Sequence, residues 1–284
     1  MMELTQTAME KKKKSQAEMP LPLPTNSDDQ ARAWSDSAAR YDDEFLYPFR
    51  DHVDNPLLKM ILEIDPETAR TMHVADLGCG TGPLLPHLID RFGKVYALDF
   101  AAEMLTACRK RLGAKKAAKI AFLNRAMHEL DDLNGTLDLA FSVNSLVMPD
   151  LRVVNKTLGN IWQSLKPGGK FMGVVPSVDG IHHHTLMLWD AYLDAGYAME
   201  EAERLVATHM EHHLYDFSLG RFKFGELDQK FWQPDELKYH LQKAGFTDIK
   251  LVKLEYPWDD SLAGYKQLKN HPRTWDWTFS ATRA

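Results

Sequence analysis

Between residues 73 and 99 the chain passes from a strand, through three glycines, into a helix and on to a second strand. The apolar run His73-Val74-Ala75-Asp76-Leu77 enters Gly78-Cys79-Gly80-Thr81-Gly82 directly. A helical pattern follows from Leu84 to Phe92, and a second apolar run, Lys94-Val95-Tyr96-Ala97-Leu98, ends at Asp99. These are the parts of a parallel βαβ unit, whose crossover helix lies on one face of the sheet. Glycines at alternate positions let the backbone turn sharply and approach a ligand closely, while the start of the next helix offers free N–H groups. Asp99 falls roughly twenty residues beyond the first glycine, the offset at which an acid reaches ribose hydroxyls. A nucleotide-like ligand is therefore expected against this loop.

The alternation continues downstream. Ile120-Ala121-Phe122-Leu123, Leu137 to Ser142 and Lys170 to Val175 read as three further strands; Met104, Leu105, Cys108 and Leu112, and then Val153 to Leu165, carry helical spacing. Residues 180 to 230 break the pattern with a helical stretch rich in His, Met and aromatic side chains. Pro234 to Ala244 returns as a helix, and the strands Ile249 to Tyr256 and Thr274 to Thr282 follow without a helix between them, so they should pair antiparallel at the sheet edge. The expected fold is α/β: a Rossmann-like seven-stranded mixed sheet, last strand antiparallel, flanked by helices and carrying a helical cap insertion. Its length of 284 residues suits one such domain with an insertion. The expected boundaries are 29–177 with 233–284 for the domain and 178–232 for the cap. Residues 1–28, with a lysine run, alternating Pro and Leu and a polar end, are expected to form a disordered tail. From Gln30 to Tyr41, the spacing of Ala31, Trp34, Ala38 and Tyr41 predicts a helix with one apolar, aromatic face.

Two ligand types use a glycine loop of this kind. A dinucleotide fingerprint is G-x-G-x-x-G with a pyrophosphate facing the helix start, whereas this loop is G-x-G-x-G, and Pro83 removes one N–H donor. The string Val74-Ala75-Asp76-Leu77-Gly78-Cys79-Gly80-Thr81-Gly82 resembles the first motif of the class I S-adenosylmethionine-dependent methyltransferases. The resemblance extends to Ala97-Leu98-Asp99-Phe100, Leu137-Asp138-Leu139-Ala140 and Leu165-Lys166-Pro167-Gly168-Gly169-Lys170. It covers residues 70 to 177 closely and the final strands loosely. It implies S-adenosylmethionine as cofactor, with Asp76, Gly78, Gly80 and Gly82, and Cys79 within the same loop, at its methionine end. Asp99 is implied at the ribose, and Phe100 and Met104 against the adenine. Such enzymes often place an acid for the adenine amino group shortly after strand three; here Ala126 stands at that position, followed by Met127, so adenine recognition would rest on backbone groups and packing. Asn144 is implied near the methyl-donor end, and Tyr41 folds over the cofactor site in the small-molecule members.

Nucleic-acid amino-methylating members carry an Asn- or Asp-Pro-Pro-aromatic motif after strand four, where this chain has Asn144-Ser145-Leu146-Val147-Met148-Pro149. With 34 basic against 40 acidic residues the formal charge is −6, which disfavours a polyanionic partner, so a small-molecule acceptor with an N or O nucleophile is expected and no nucleic acid. The insertion offers His182, His183, His184, His209, His212 and His213, and histidine is the side chain best placed to take a proton near neutral pH. His182, His183, His209 and His213, with Tyr41, are the candidate catalytic residues. His209 could share a helix face with His212 or His213 as metal ligands do, but no metal is expected. No apolar run has the length of a membrane span, and two unpaired cysteines fit a reducing compartment, so the expectation is a cytoplasmic protein with no membrane contact. A non-catalytic sensor or scaffold that binds the same cofactor is the alternative, and a nicotinamide-dependent oxidoreductase a more distant one.

Overall fold

A computed structural model describes residues 34–35, 48–50, 52–210, 215–216, 218–224, 227–262 and 264–284. The expected tail 1–28, Tyr41 and most of its helix, and the pair His212 and His213 lie outside the described residues. Ten strands are named in chain order: β1 (His73–Leu77), β2 (Lys94–Asp99), β3 (Ile120–Asn124), β4 (Leu137–Val143), β5 (Leu165–Val175), β6 (Tyr215–Asp216), β7 (Arg221–Phe224), β8 (Leu227–Lys230), β9 (Phe246–Tyr256) and β10 (Thr274–Arg283). Seven form one sheet in the order β3-β2-β1-β4-β5-β10-β9. β1 to β5 run parallel, and β10 is antiparallel to both β5 and β9. This is the mixed sheet expected from the sequence.

The apolar runs of the central strands follow from burial on both faces. Val74 to Leu77 of β1 are all buried. One face packs against Leu57, Ile61, Leu84, Leu85, Leu88 and Leu105, and the other against Val154, Leu158, Ile161, Trp232, Leu237 and Leu241. Val154, Leu158 and Ile161 lie on helix α5 (Leu151–Ser164), following α1 (Pro56–Leu62), α2 (Pro66–Ala69), α3 (Leu85–Leu88) and α4 (Ala102–Ala117). Their spacing of four and three makes one stripe of that helix apolar. Asp150 starts α5 by accepting the Arg152 N–H. The chain order reverses where β1 lies between β2 and β4, so a crevice opens at the C-terminal ends of these strands.

The insertion differs from expectation. It begins with α6 (Val178–Asp194) and α7 (Met199–Met210), but β6, β7 and β8 then form a three-stranded antiparallel sheet where helix was expected to residue 230. The alternation Arg221-Phe222-Lys223 has the period of a strand, and the buried Phe222 ring stacks on Phe231 at 4.5 Å. The insertion is tied back to the sheet domain at its end, where Trp232 Nε1 donates to the Leu146 carbonyl at 2.7 Å. Beyond α8 (Pro234–Lys243), a four-residue helix α9 (Tyr265–Leu268) interrupts the link between β9 and β10 that was read as free of helix. It does not alter their pairing. The helix expected over Leu84 to Phe92 is confined to α3, with Pro86 in its first turn, where the missing N–H has no intrahelical partner to lose.

Candidate active site

Gly78, Gly80 and Gly82 all take left-handed backbone, with φ of 69°, 53° and 79°. A Cβ on Gly78 would stand 2.4 Å from the Ser145 Cβ, and one on Gly82 would stand 2.4 Å from the Cys108 sulfur, so neither position admits a side chain. The loop is fixed to β2 by the Gly78 and Cys79 N–H groups, which donate to the Leu98 carbonyl at 2.7 and 2.9 Å. Asp99 holds it from the other side: one carboxylate oxygen accepts the Gly80 N–H and the other the Ala101 N–H, both at 2.9 Å. Asn124 Nδ2 donates to the carbonyls of Asp99 and Phe100 and sets the turn that follows.

These elements wall a cavity of about 410 Å³ at the C-terminal ends of the parallel strands, a size within the usual range for a small-molecule site. Gly78, Gly80, Asp99, Phe100, Met104, Ala126, Met127 and Asn144 line it, so eight of the residues named from sequence for the cofactor meet in one place. Asp76, Cys79 and Gly82 are not among its lining residues. Trp34 closes part of the wall; the site also takes in His128, Ser145, Val147, Met148, Asp150, Val153, Thr157, Asp228 and Gln229, none of which the sequence reading assigned a role. Asp150 carried a helix-start signal ahead of an apolar stripe. Asp228 and Gln229 carried none, because only the tertiary position of β8 brings them here.

Burial shapes the electrostatics. Asp76 is 2% exposed, and burial, reinforced by the Asp99 charge, pushes its carboxyl up to about 8. Its Oδ2 has no hydrogen-bond partner. Burial also raises Asp99, against the pull of its backbone N–H donors. Cys79 is held protonated by its hydrogen bond with Cys108 and by burial. Asn144 has φ of 50°, uncommon for a residue with a side chain, and its buried Oδ1 is unpartnered. The Thr157 Oγ1 and Gln229 Nε2, both buried and on cavity-lining residues, are unpartnered too. Native structures pair nearly all buried polar atoms, so three unpartnered ones on residues that line one cavity fit a place where a ligand completes the pairing.

The histidines of the insertion lie elsewhere. His183 Nε2 stands 3.1 Å from the Pro272 carbonyl and its ring is tilted against Trp275, His184 is buried against Trp258, and His209 Nε2 pairs with the Tyr192 hydroxyl at 2.7 Å. None of His182, His183, His184 or His209 lines the cavity. The cause is the seating of α6, whose Gly180 packs closely against the Trp275 backbone on β10, so its histidines meet side chains around β10 and the β9–β10 link and not the cavity. Of the candidate catalytic residues, Tyr41 and His213 lie outside the described residues. Among the described residues no group of three or more His, Cys, Asp or Glu could hold a metal ion.

Residues 74–169 match the family model described as a methyltransferase domain. The chain is 32% identical over 117 residues to the trans-aconitate 2-methyltransferase of Deinococcus radiodurans, covering 40% of this chain and 42% of that protein. It is 27% identical over 200 residues to a demethylmenaquinone methyltransferase of Symbiobacterium thermophilum, covering 64% and 72%. The match thus spans less than half the length of the first relative. Among solved structures, the Burkholderia thailandensis 1,6-didemethyltoxoflavin-N1-methyltransferase superposes with a TM-score of 0.56 at 17% identity over 93% of this chain and 92% of its own. The Haemonchus contortus phosphoethanolamine N-methyltransferase 2 superposes with a TM-score of 0.53 at 15% identity over 88% and 57%. With the sheet order and the glycine loop, these matches identify a class I S-adenosylmethionine-dependent methyltransferase domain, and S-adenosylmethionine is the cofactor of that class.

Proposed function

We propose that the chain transfers a methyl group from S-adenosylmethionine to a small-molecule acceptor through an N or O nucleophile. The observation that supports this best is the shared cavity: the glycine loop and Asp99 form one part of its wall, and the unpartnered polar atoms of Asn144, Thr157 and Gln229 belong to other parts. The residues fit the cofactor. Asp99 is presented to ribose hydroxyls, and Phe100 and Met104 offer apolar surface to the adenine beside Ala126 and Met127. Asp76, outside the lining at the end of β1 just before the glycine loop, keeps an unpartnered carboxyl oxygen that suits an ammonium group reaching past the loop. When bound, the cofactor supplies a methyl group already activated on a sulfonium. The chain's contribution is then to hold the acceptor in line with that group and exclude water. The insertion 178–232 serves the acceptor through its last strand, β8, and the free, buried Cys79 and Cys108 suit a reducing, cytoplasmic setting. No helix among the described residues is long and apolar enough to cross a membrane.

Incubation with S-adenosylmethionine labelled in the methyl group, together with separated cell extract, tests this reading. Label should pass into the low-mass fraction. Label passing only into nucleic acid or protein would contradict a small acceptor.

A further inference from the structure

We propose that Asp228 and Gln229 form the acceptor-selecting edge of the cavity, and that the acceptor is an uncharged or cationic molecule offering an N–H or O–H to Asp228 and a lone pair to Gln229. This rests on reading the cavity as the methyl-transfer site. Gln229 is 7% exposed, lines the cavity and has a buried Nε2 without a partner, an unspent donor that a ligand atom can satisfy once a small side-chain rotation brings it to the cavity surface. Asp228 lines the same wall, half-buried. Its charged neighbours Arg221, Lys223 and Asp216 belong to the insertion's own small sheet and do not line the cavity. Asp99 adds a further carboxyl group to the lining, as does Asp150, whose charge is paired with the Arg152 guanidinium at 2.7 Å, and no Lys or Arg among the described residues lines the cavity. A carboxylate or phosphate acceptor would meet the Asp228 carboxylate with no lining Lys or Arg to pair with, which costs binding.

The edge is held in place. The buried Lys230 ammonium, next in the strand, donates to the Leu219 and Phe231 carbonyls and to Glu236 at 3.0, 2.9 and 2.7 Å, and so is committed away from the cavity. The Lys230 N–H donates to the Val147 carbonyl at 2.8 Å, which sets β8 against the loop after β4. Asp228 and Gln229 therefore keep fixed positions in the wall that Asn144 also lines.

Three probes test this on the full chain saturated with S-adenosylhomocysteine, by calorimetry: benzimidazole as a neutral N–H heterocycle, benzylamine as a cation and tricarballylate as a tricarboxylate. At least one of the first two should bind about tenfold or more tightly than tricarballylate. Asp228→Asn should weaken benzylamine about tenfold with cofactor-product affinity unchanged, and Gln229→Glu should favour benzylamine over benzimidazole relative to the parent chain. Asp228→Lys should invert the order and admit tricarballylate, a gain that a merely structural residue would not give; thermal melting confirms that each variant is folded. Tighter binding of tricarballylate than of the other two, no binding of benzimidazole or benzylamine, or unchanged selectivity in folded Asp228→Lys would overturn the proposal. Failure to bind S-adenosylhomocysteine would instead overturn the reading of the cavity on which it rests.

Discussion

At the scale of single residues, Asp99 lines the cavity, whereas Asp76 is buried at the end of β1 just before the glycine loop. Asp99 is pinned by two backbone N–H donors and faces the cavity, so Asp99→Ala should weaken S-adenosylmethionine by about 1–3 kcal/mol, as measured by calorimetry. Asp76 has no such support, and burial holds it protonated up to about 8. An ammonium ligand favours the ionised form, so binding near pH 7 should release a proton. The measured binding enthalpy should then vary with the ionisation enthalpy of the buffer in the parent chain, and should not in Asp76→Asn. The glycines and Asp99 were legible in the sequence because a strand-to-loop spacing carries its own geometry. Asp228, Gln229 and Thr157 were not, because nothing local distinguishes a strand or helix residue that faces a cavity from one that faces solvent.

At the scale of elements, the insertion shows how far periodicity reaches. The spacing in α6 and α7 reports which histidines share a helix face, but not which face meets the cavity. The packing of Gly180 against β10 decides that and takes His183 and His184 to the tryptophans. The strands β6 to β8 were missed because runs of two to four residues give periodicity little to act on. Lys230 is the tie that holds this small sheet. Lys230→Met leaves two carbonyls and Glu236 without their donor, and should lower stability by about 2–3 kcal/mol, read as an earlier denaturation midpoint. Acceptor binding should suffer with it while S-adenosylmethionine affinity stays, since the glycine loop lies on the separate main sheet.

At the scale of the whole molecule, buried carboxyls shape the pH response, Asp76 and Asp276 most strongly. Asp76 is raised to about 8, and Asp276, buried beneath the Tyr256 hydroxyl and the Ser177 N–H, is raised to about 6 by burial. A folded-state value above the unfolded one means that the native chain holds protons which the unfolded chain has released. Their contribution is therefore fully present below the ordinary carboxyl value of 3.8 and is lost as the pH rises through about 6 for Asp276 and about 8 for Asp76. Asp76→Asn has no charge to bury, so its melting temperature without cofactor should rise relative to the parent chain from pH 5 to pH 8. A constant difference across that range would remove Asp76 as a buried acid. The sheet order was legible because strand–helix alternation with two late strands has few ways to close, and the same order creates the crevice in which the cavity lies.

The central claim, that the glycine loop and Asp99 bind S-adenosylmethionine, is tested most directly by titrating S-adenosylmethionine, its demethylated product and a nicotinamide dinucleotide into the full chain. The account expects both sulfur compounds to bind at one site and to be weakened together by Asp99→Ala, with the dinucleotide failing to compete. Binding of the dinucleotide in preference to S-adenosylmethionine, or an affinity for S-adenosylmethionine unchanged in Asp99→Ala, would contradict it.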